Sequence, residues 1–165
     1  MSETARWALP LLTAGQAQKE MTHNEALALL DLLAGASVVA VGTNAPPAGP
    51  VAGQCWIVGA TPAGAWSGHA GALAGWTAGG WRFAAPREGL AVWSAADGCP
   101  VTYAGGQWRT GTLAATELVI GGQRVVGARR PAIAAPTGGG TIDAEARGAI
   151  GQIVAALVAH GLTAS

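Results

Sequence analysis

The apolar and polar positions of the chain divide it into a helical start, a long run of short strands and a helical end. Leu9 to Leu12 is a short apolar run with the character of a strand. Thr13-Ala14-Gly15-Gln16 and Thr22-His23-Asn24-Glu25 each have the Thr-x-x-Gln/Glu spacing of a capping box, the second just ahead of the apolar run Ala26 to Leu33. This predicts helix over Thr13 to Ala34, as two turns or one kinked helix. Met21, Leu27, Leu29, Leu30, Leu33 and Ala34 would form its inner face, Asp31 and Gln16 to Glu20 its wet face, and Gly35 its stop. Val38 to Val41 reads as a strand, and Asn44 to Gly53, with Pro46, Pro47 and Pro50, as a loop.

Beyond the loop the pattern is β. Cys55 to Val58, Trp81 to Ala84, Leu90 to Trp93, Val101 to Tyr103, Leu118 to Ile120 and Arg124 to Val126 are short apolar or alternating runs between turn residues, and Gly121-Gly122 is a two-residue hairpin turn. One motif occurs twice. Trp76-Thr77-Ala78-Gly79-Gly80-Trp81-Arg82 and Tyr103-Ala104-Gly105-Gly106-Gln107-Trp108-Arg109 both run aromatic, two residues, Gly, any residue, Trp, Arg. Each predicts a hairpin with an aromatic pair near its turn and Arg on the face opposite Trp. Two copies suit a small antiparallel meander, since solenoids need three or more repeats.

Ala128 to Thr141, rich in Gly and Pro, is a linker to a last helix, Asp143 to His160, capped by Thr141 or Asp143 and closed by Gly161. Ala146, Ile150, Ile153 and Leu157 repeat with coiled-coil spacing. Ala144, Gly148, Gly151, Ala155 and Ala159 make a small-residue stripe on the opposite side. A helix apolar all round needs cover on both sides, and Gly148 and Gly151 each cost about 1 kcal/mol relative to Ala unless a backbone packs close. The cover is either the domain's own sheet or a symmetry copy, and a homotrimer is the expected arrangement, because Ile at alternate seam positions favours three strands over two.

Composition narrows the classes. Nine basic and nine acidic side chains among 165 residues leave no net charge, and only 11% of residues are charged, so a free monomer would be poorly protected against self-association. Eight Arg and the single Lys19 are spread over the whole length, which argues against nucleic acid as a partner. The longest apolar stretches are interrupted by Gly and Pro, and Met1 to Leu9 lacks a signal-peptide core, so neither membrane insertion nor export is expected. Cys55 and Cys99 are expected to be reduced, buried thiols.

Candidate chemistry rests on aromatics. No nucleophile elbow, phosphate loop, dinucleotide fingerprint or zinc helix motif occurs, and His23, His69 and His160 are each alone. No catalytic residue, cofactor or metal is expected. Seven Trp stand against one Tyr and one Phe. Most suit core anchoring, but Trp66, Trp76 and Trp108 sit among Gly and polar residues near turns, where a ring could carry the apolar face of a sugar with Arg82 or Arg109 beside it. Asp97 and Glu88 are the acid pair to examine for glycoside hydrolysis.

Leu9-Pro10, Gly15-Gln16-Ala17-Gln18-Lys19-Glu20 and Thr22-His23-Asn24-Glu25-Ala26-Leu27 resemble an uncharacterised family found in bacterial prophages, phage particles and gene transfer agents. The order continues through Pro46-Pro47, Gly64 to His69, Gly75-Trp76, Gly80-Trp81-Arg82-Phe83 and Pro86-Arg87-Glu88-Gly89, and the helical end is similar too. Leu90 departs from the family, where an aromatic is expected. The resemblance implies tail fibres, spikes and other host-contact parts, and no catalytic residue to carry over.

The expectation is therefore an α+β chain: a helical docking segment (1–43), an antiparallel meander or sandwich region (44–127), and a linker with an oligomerisation helix (128–165). Its expected role is a structural, host-adsorption component of a phage-like particle, assembled in the bacterial cytoplasm. Residues 1–34 would meet other virion proteins and the β region would meet host surface polysaccharide. A purely structural adaptor is the first alternative. An accessory domain of a cell-wall or capsule hydrolase, with Asp97 and Glu88 in one cleft, is the second.

Overall fold

Val38 is fully buried at the centre of a seven-stranded sheet, and the two sides of that sheet repeat one another. The computed structural model describes residues 4, 5, 9, 11, 12, 19–135, 137–140 and 143–164. Strand β1 (Ser37–Thr43) is flanked on one side by the meander β2 (Cys55–Val58), β3 (Leu73–Thr77) and β4 (Gly80–Ala84). On the other side lies the meander β5 (Ala91–Ser94), β6 (Cys99–Ala104) and β7 (Gln107–Thr110). The order is β4-β3-β2-β1-β5-β6-β7, with β2 and β5 both parallel to β1 and every other pairing antiparallel. A half-turn about β1 therefore superposes one meander's topology on the other and exchanges the faces of the sheet.

Register and burial agree on which side chains share a face. Leu73, Cys55, Ile57, Val38, Val92 and Val101 form one core with Leu32 of helix α1 (Lys19–Leu33). Trp56, Val58 and Ala74 form a second core on the other face with Trp66, which arrives on a 3-10 turn at Gly64–Trp66. The α+β class and the mostly antiparallel sheet follow the sequence reading.

Helix α1 differs from its predicted form. Thr22-His23-Asn24-Glu25 lies inside the helix, so its backbone amides are not free to be capped. Asn24 instead caps a neighbouring segment: its Oδ1 accepts from Leu12 N at 2.9 Å and its Nδ2 donates to Leu12 O at 3.0 Å. The predicted faces are rotated. Asp31 and Leu32 are buried, whereas Met21, Leu30 and Leu33 are exposed. Asp31 turns inward because Thr4 Oγ1 donates to its Oδ1 at 2.8 Å. Leu9, Leu11 and Leu12 are not in a strand. The box at Thr13 to Gln16 lies outside the described residues.

The chain separates into two compact units, 1–112 and 113–165. β1, grouped with the docking segment by sequence, is the middle of the sheet. The hairpin β8 (Leu118–Ile120) and β9 (Gln123–Val126) groups instead with helix α2 (Ala144–Ala159). Gly121 and Gly122 have φ of 58° and 78°, the two positive values a type I′ turn requires. In α2, Asp143 Oδ1 accepts from Ala146 N at 2.8 Å. Gly161, at φ 71°, ends the helix with Gly161 N donating to Val158 O and Leu162 N to Leu157 O, a Schellman closure. α2 has no buried residue.

Among the described residues no helix is long and apolar enough to cross a membrane. Cys55 is buried, Cys99 half-buried, and neither is in a disulfide.

Candidate functional site

The two aromatic hairpins form as predicted, with Trp76 opposite Trp81 and Tyr103 opposite Trp108. The rotation about β1 sends the pairs to opposite faces: Trp76 and Trp81 pack on the Trp56/Trp66 core, Trp108 on the Leu32/Val101 core. The repeat does not build one doubled surface.

The nominated tryptophans fall into different environments. Trp66 is fully buried and is a core residue, so its ring offers no platform. It lies 5.1 Å from Trp81 and 6.2 Å from Trp56, and Trp76 stands 5.0 Å from Trp81. This tilted and edge-on cluster fills the second core with bulk that Ala and Gly cannot supply. Trp76 is half-buried within it. Trp108 is half-buried too, and its Nε1–H donates to Gly71 O at 2.8 Å, tying the second meander to the connection inside the first.

The arginines separate as well. Arg82 lies on the face of α1, where its Nε sits 2.7 Å from Glu25 Oε1 and donates to Oε2 at 2.9 Å. Arg109 lies on the opposite face, exposed, its Nε donating to Ala104 O at 3.2 Å. Among the described residues its terminal nitrogens make no hydrogen bond.

That face of the second meander carries the residue sequence reasoning missed. Trp93 is 50% exposed. Read as part of the apolar run Leu90 to Trp93, it passed for core. The strand alternates instead, with Val92 and Ser94 buried, and Ala91 and Trp93 exposed. Trp93 pairs in register with Ser37 and Pro100, and Thr102 with Arg109. Ser37, Trp93, Thr102, Gln107 and Arg109 therefore share one side of β1, β5, β6 and β7. Strand spacing and rise put the Trp93 and Arg109 Cα atoms about 12 Å apart.

Glu88 braces this face from the edge. Its carboxylate accepts from Gly105 N and Gly106 N, each at 3.0 Å, and so fixes the turn that carries Gln107 and Arg109. Those bonds, with a smaller contribution from the Arg109 charge, hold its pKa below the ordinary 4.5. Asp97 is used locally in the same way: Ser94 Oγ donates to its Oδ2 at 2.6 Å. Both acids serve as turn braces, and neither lines the clefts beside α1. No group of three or more His, Cys, Asp or Glu that could hold a metal occurs among the described residues.

Residues 23–109 match the family described as protein of unknown function (DUF2793). This is more than half of the chain, and the chain belongs to that family. The match begins within α1 and ends at Arg109 in β7, so it spans the whole sheet and stops short of the C-terminal unit. No curated protein matches the chain.

Proposed function

We propose that this protein is a structural, host-contact component of a phage-like particle, a tail-fibre or head-spike subunit or its base, that binds host surface polysaccharide through the open face of β5, β6 and β7. The observation that carries the binding is Trp93: a large aromatic ring left half exposed on a strand whose neighbours are buried. Exposed rings beside hydrogen-bonding side chains suit the apolar faces and hydroxyl rims of sugars, and Thr102, Gln107 and Arg109 supply the polar partners. The placement on a particle rests on the sequence resemblance. Weak single sites suffice there, because multivalent display raises avidity about 10²- to 10⁴-fold.

The test is a glycan array probed with the full chain as a multimer, beside Trp93→Ala and Trp76→Ala. Binding lost in Trp93→Ala and kept in Trp76→Ala supports the reading. An empty array with a folded protein, or equal binding by all three, removes it.

A purely structural adaptor is the second reading, favoured by the full burial of Trp66 and the half-burial of Trp76 and Trp108. In either reading we infer a homotrimer assembled through α2, whose seam residues Ile150 and Ile153 are 43% and 60% exposed, and contact with other virion proteins through residues 1–34.

A further inference from the structure

We propose that the C-terminal unit holds a binding site for a multiply charged oxyanion of the phosphate class, in the cleft between the end of β9 and the C-terminal cap of α2. The cleft measures about 530 Å³ and is lined by Arg124, Arg129, Arg130 and His160. Its two walls are stitched together by backbone and side-chain bonds. Arg130 N donates to Leu162 O at 2.9 Å, Ala164 N to Arg130 O at 2.7 Å, and Arg129 Nε to Thr163 O at 2.9 Å. The Arg124 side chain passes beside Gly127, where a Cβ would stand in ordinary contact, 3.4 Å from its Cδ and Nε.

The charge is one-sided. Three of the chain's eight arginines line the cleft, and among the described residues no acidic side chain does. Asp143 and Glu145 sit at the other end of α2, about 24 Å away along sixteen residues. None of the three guanidinium groups forms an ion pair among the described residues. Like charges held together without a counter-charge favour an anion, and the planar fork of Arg matches phosphate oxygens in pairs. The negative end of the helix would oppose an anion. Here the Schellman closure has already engaged the carbonyls of Leu157 and Val158, which weakens that opposition. The site lies outside the family match and is independent of the Trp93 face.

Titrating the full-length protein with inorganic pyrophosphate and with glucose 1-phosphate at low ionic strength tests this by calorimetry. Saturable binding should weaken at least about tenfold in Arg124→Gln and in Arg130→Gln and stay unchanged in Arg87→Gln, an exposed arginine of the other unit. Tighter binding of glucose 1-phosphate assigns the cleft to phosphorylated saccharides, and tighter binding of pyrophosphate to the free anion. Absence of saturable binding by both, or an equal loss in Arg87→Gln, overturns the proposal.

Discussion

Trp76 and Tyr103 hold equivalent positions in two copies of one hairpin motif, yet their rings lie on opposite faces of the same sheet. The half-turn about β1 explains this, and it also separates Arg82 from Arg109. The copy nearer the N-terminus has both faces covered, by α1 and by the Trp66 turn. In the other copy Ala91, Trp93, Gln107 and Arg109 are left exposed.

That asymmetry distinguishes the two arginines experimentally. Arg82→Ala should lower stability by about 0.2–1 kcal/mol, the range for a partly exposed ion pair, and leave polysaccharide binding intact. Arg109→Ala should change stability by less than about 0.5 kcal/mol and weaken binding. Chemical denaturation paired with a binding assay checks both; the reverse pattern would place the site on the α1 side.

Gly59 sits where the chain passes close to itself. A Cβ there would clash with Asn44 Oδ1 and stand 2.5 Å from the Gly42 carbonyl oxygen. Asn44 is already committed, its Oδ1 accepting from Thr61 N at 3.1 Å. Gly59→Ala should therefore destabilise the sheet unit by about 1–3 kcal/mol, while Gly49→Ala, with open space around it, should be close to neutral. Urea midpoints of the two variants give the comparison.

What the sequence made legible was local. Strand runs, both hairpins, the Gly121-Gly122 turn and the Asp143 cap follow from alternation and turn chemistry within a few residues. The order of the strands is set by β1, whose two parallel neighbours are 12 or more residues away in sequence, and no short-range pattern records that. The faces of α1 are not legible locally, because Asp31 looks solvent-seeking and Asn24 looks like part of a capping box until the N-terminal segment supplies their partners. Trp93 was hidden by its apolar neighbours. Arg124, Arg129 and Arg130 lie within seven residues of one another, a cluster that whole-chain charge counting averaged away.

The Glu88 brace has a sign that pH can read. Its folded pKa is depressed by the amides of Gly105 and Gly106. Its contribution to the turn is thus present above the ordinary carboxylate value of 4.5 and is lost as pH falls through the lower folded value. The amide resonances of Gly105 and Gly106 should move together with a midpoint below 4.5, and Glu88→Gln should abolish that titration. A midpoint at or above 4.5 would show that the carboxylate does not hold the turn.

Helix α2 poses the sharpest question about assembly. In the single chain a Cβ at Gly148 or Gly151 meets nothing within 4 Å, so Gly151→Ala should stabilise an isolated helix by about 1 kcal/mol. If the small-residue stripe instead receives a neighbouring backbone in a trimer, the same methyl group forces the helices apart and assembly weakens. The seam gives an independent check, since Ile153→Asp places an unpaired charge where an apolar contact is proposed. Sedimentation of the unmodified protein should show a trimer that Ile153→Asp dissociates and Gly151→Ala weakens. A folded monomer, or a trimer indifferent to both substitutions, would mean that α2 is not the surface that joins the subunits.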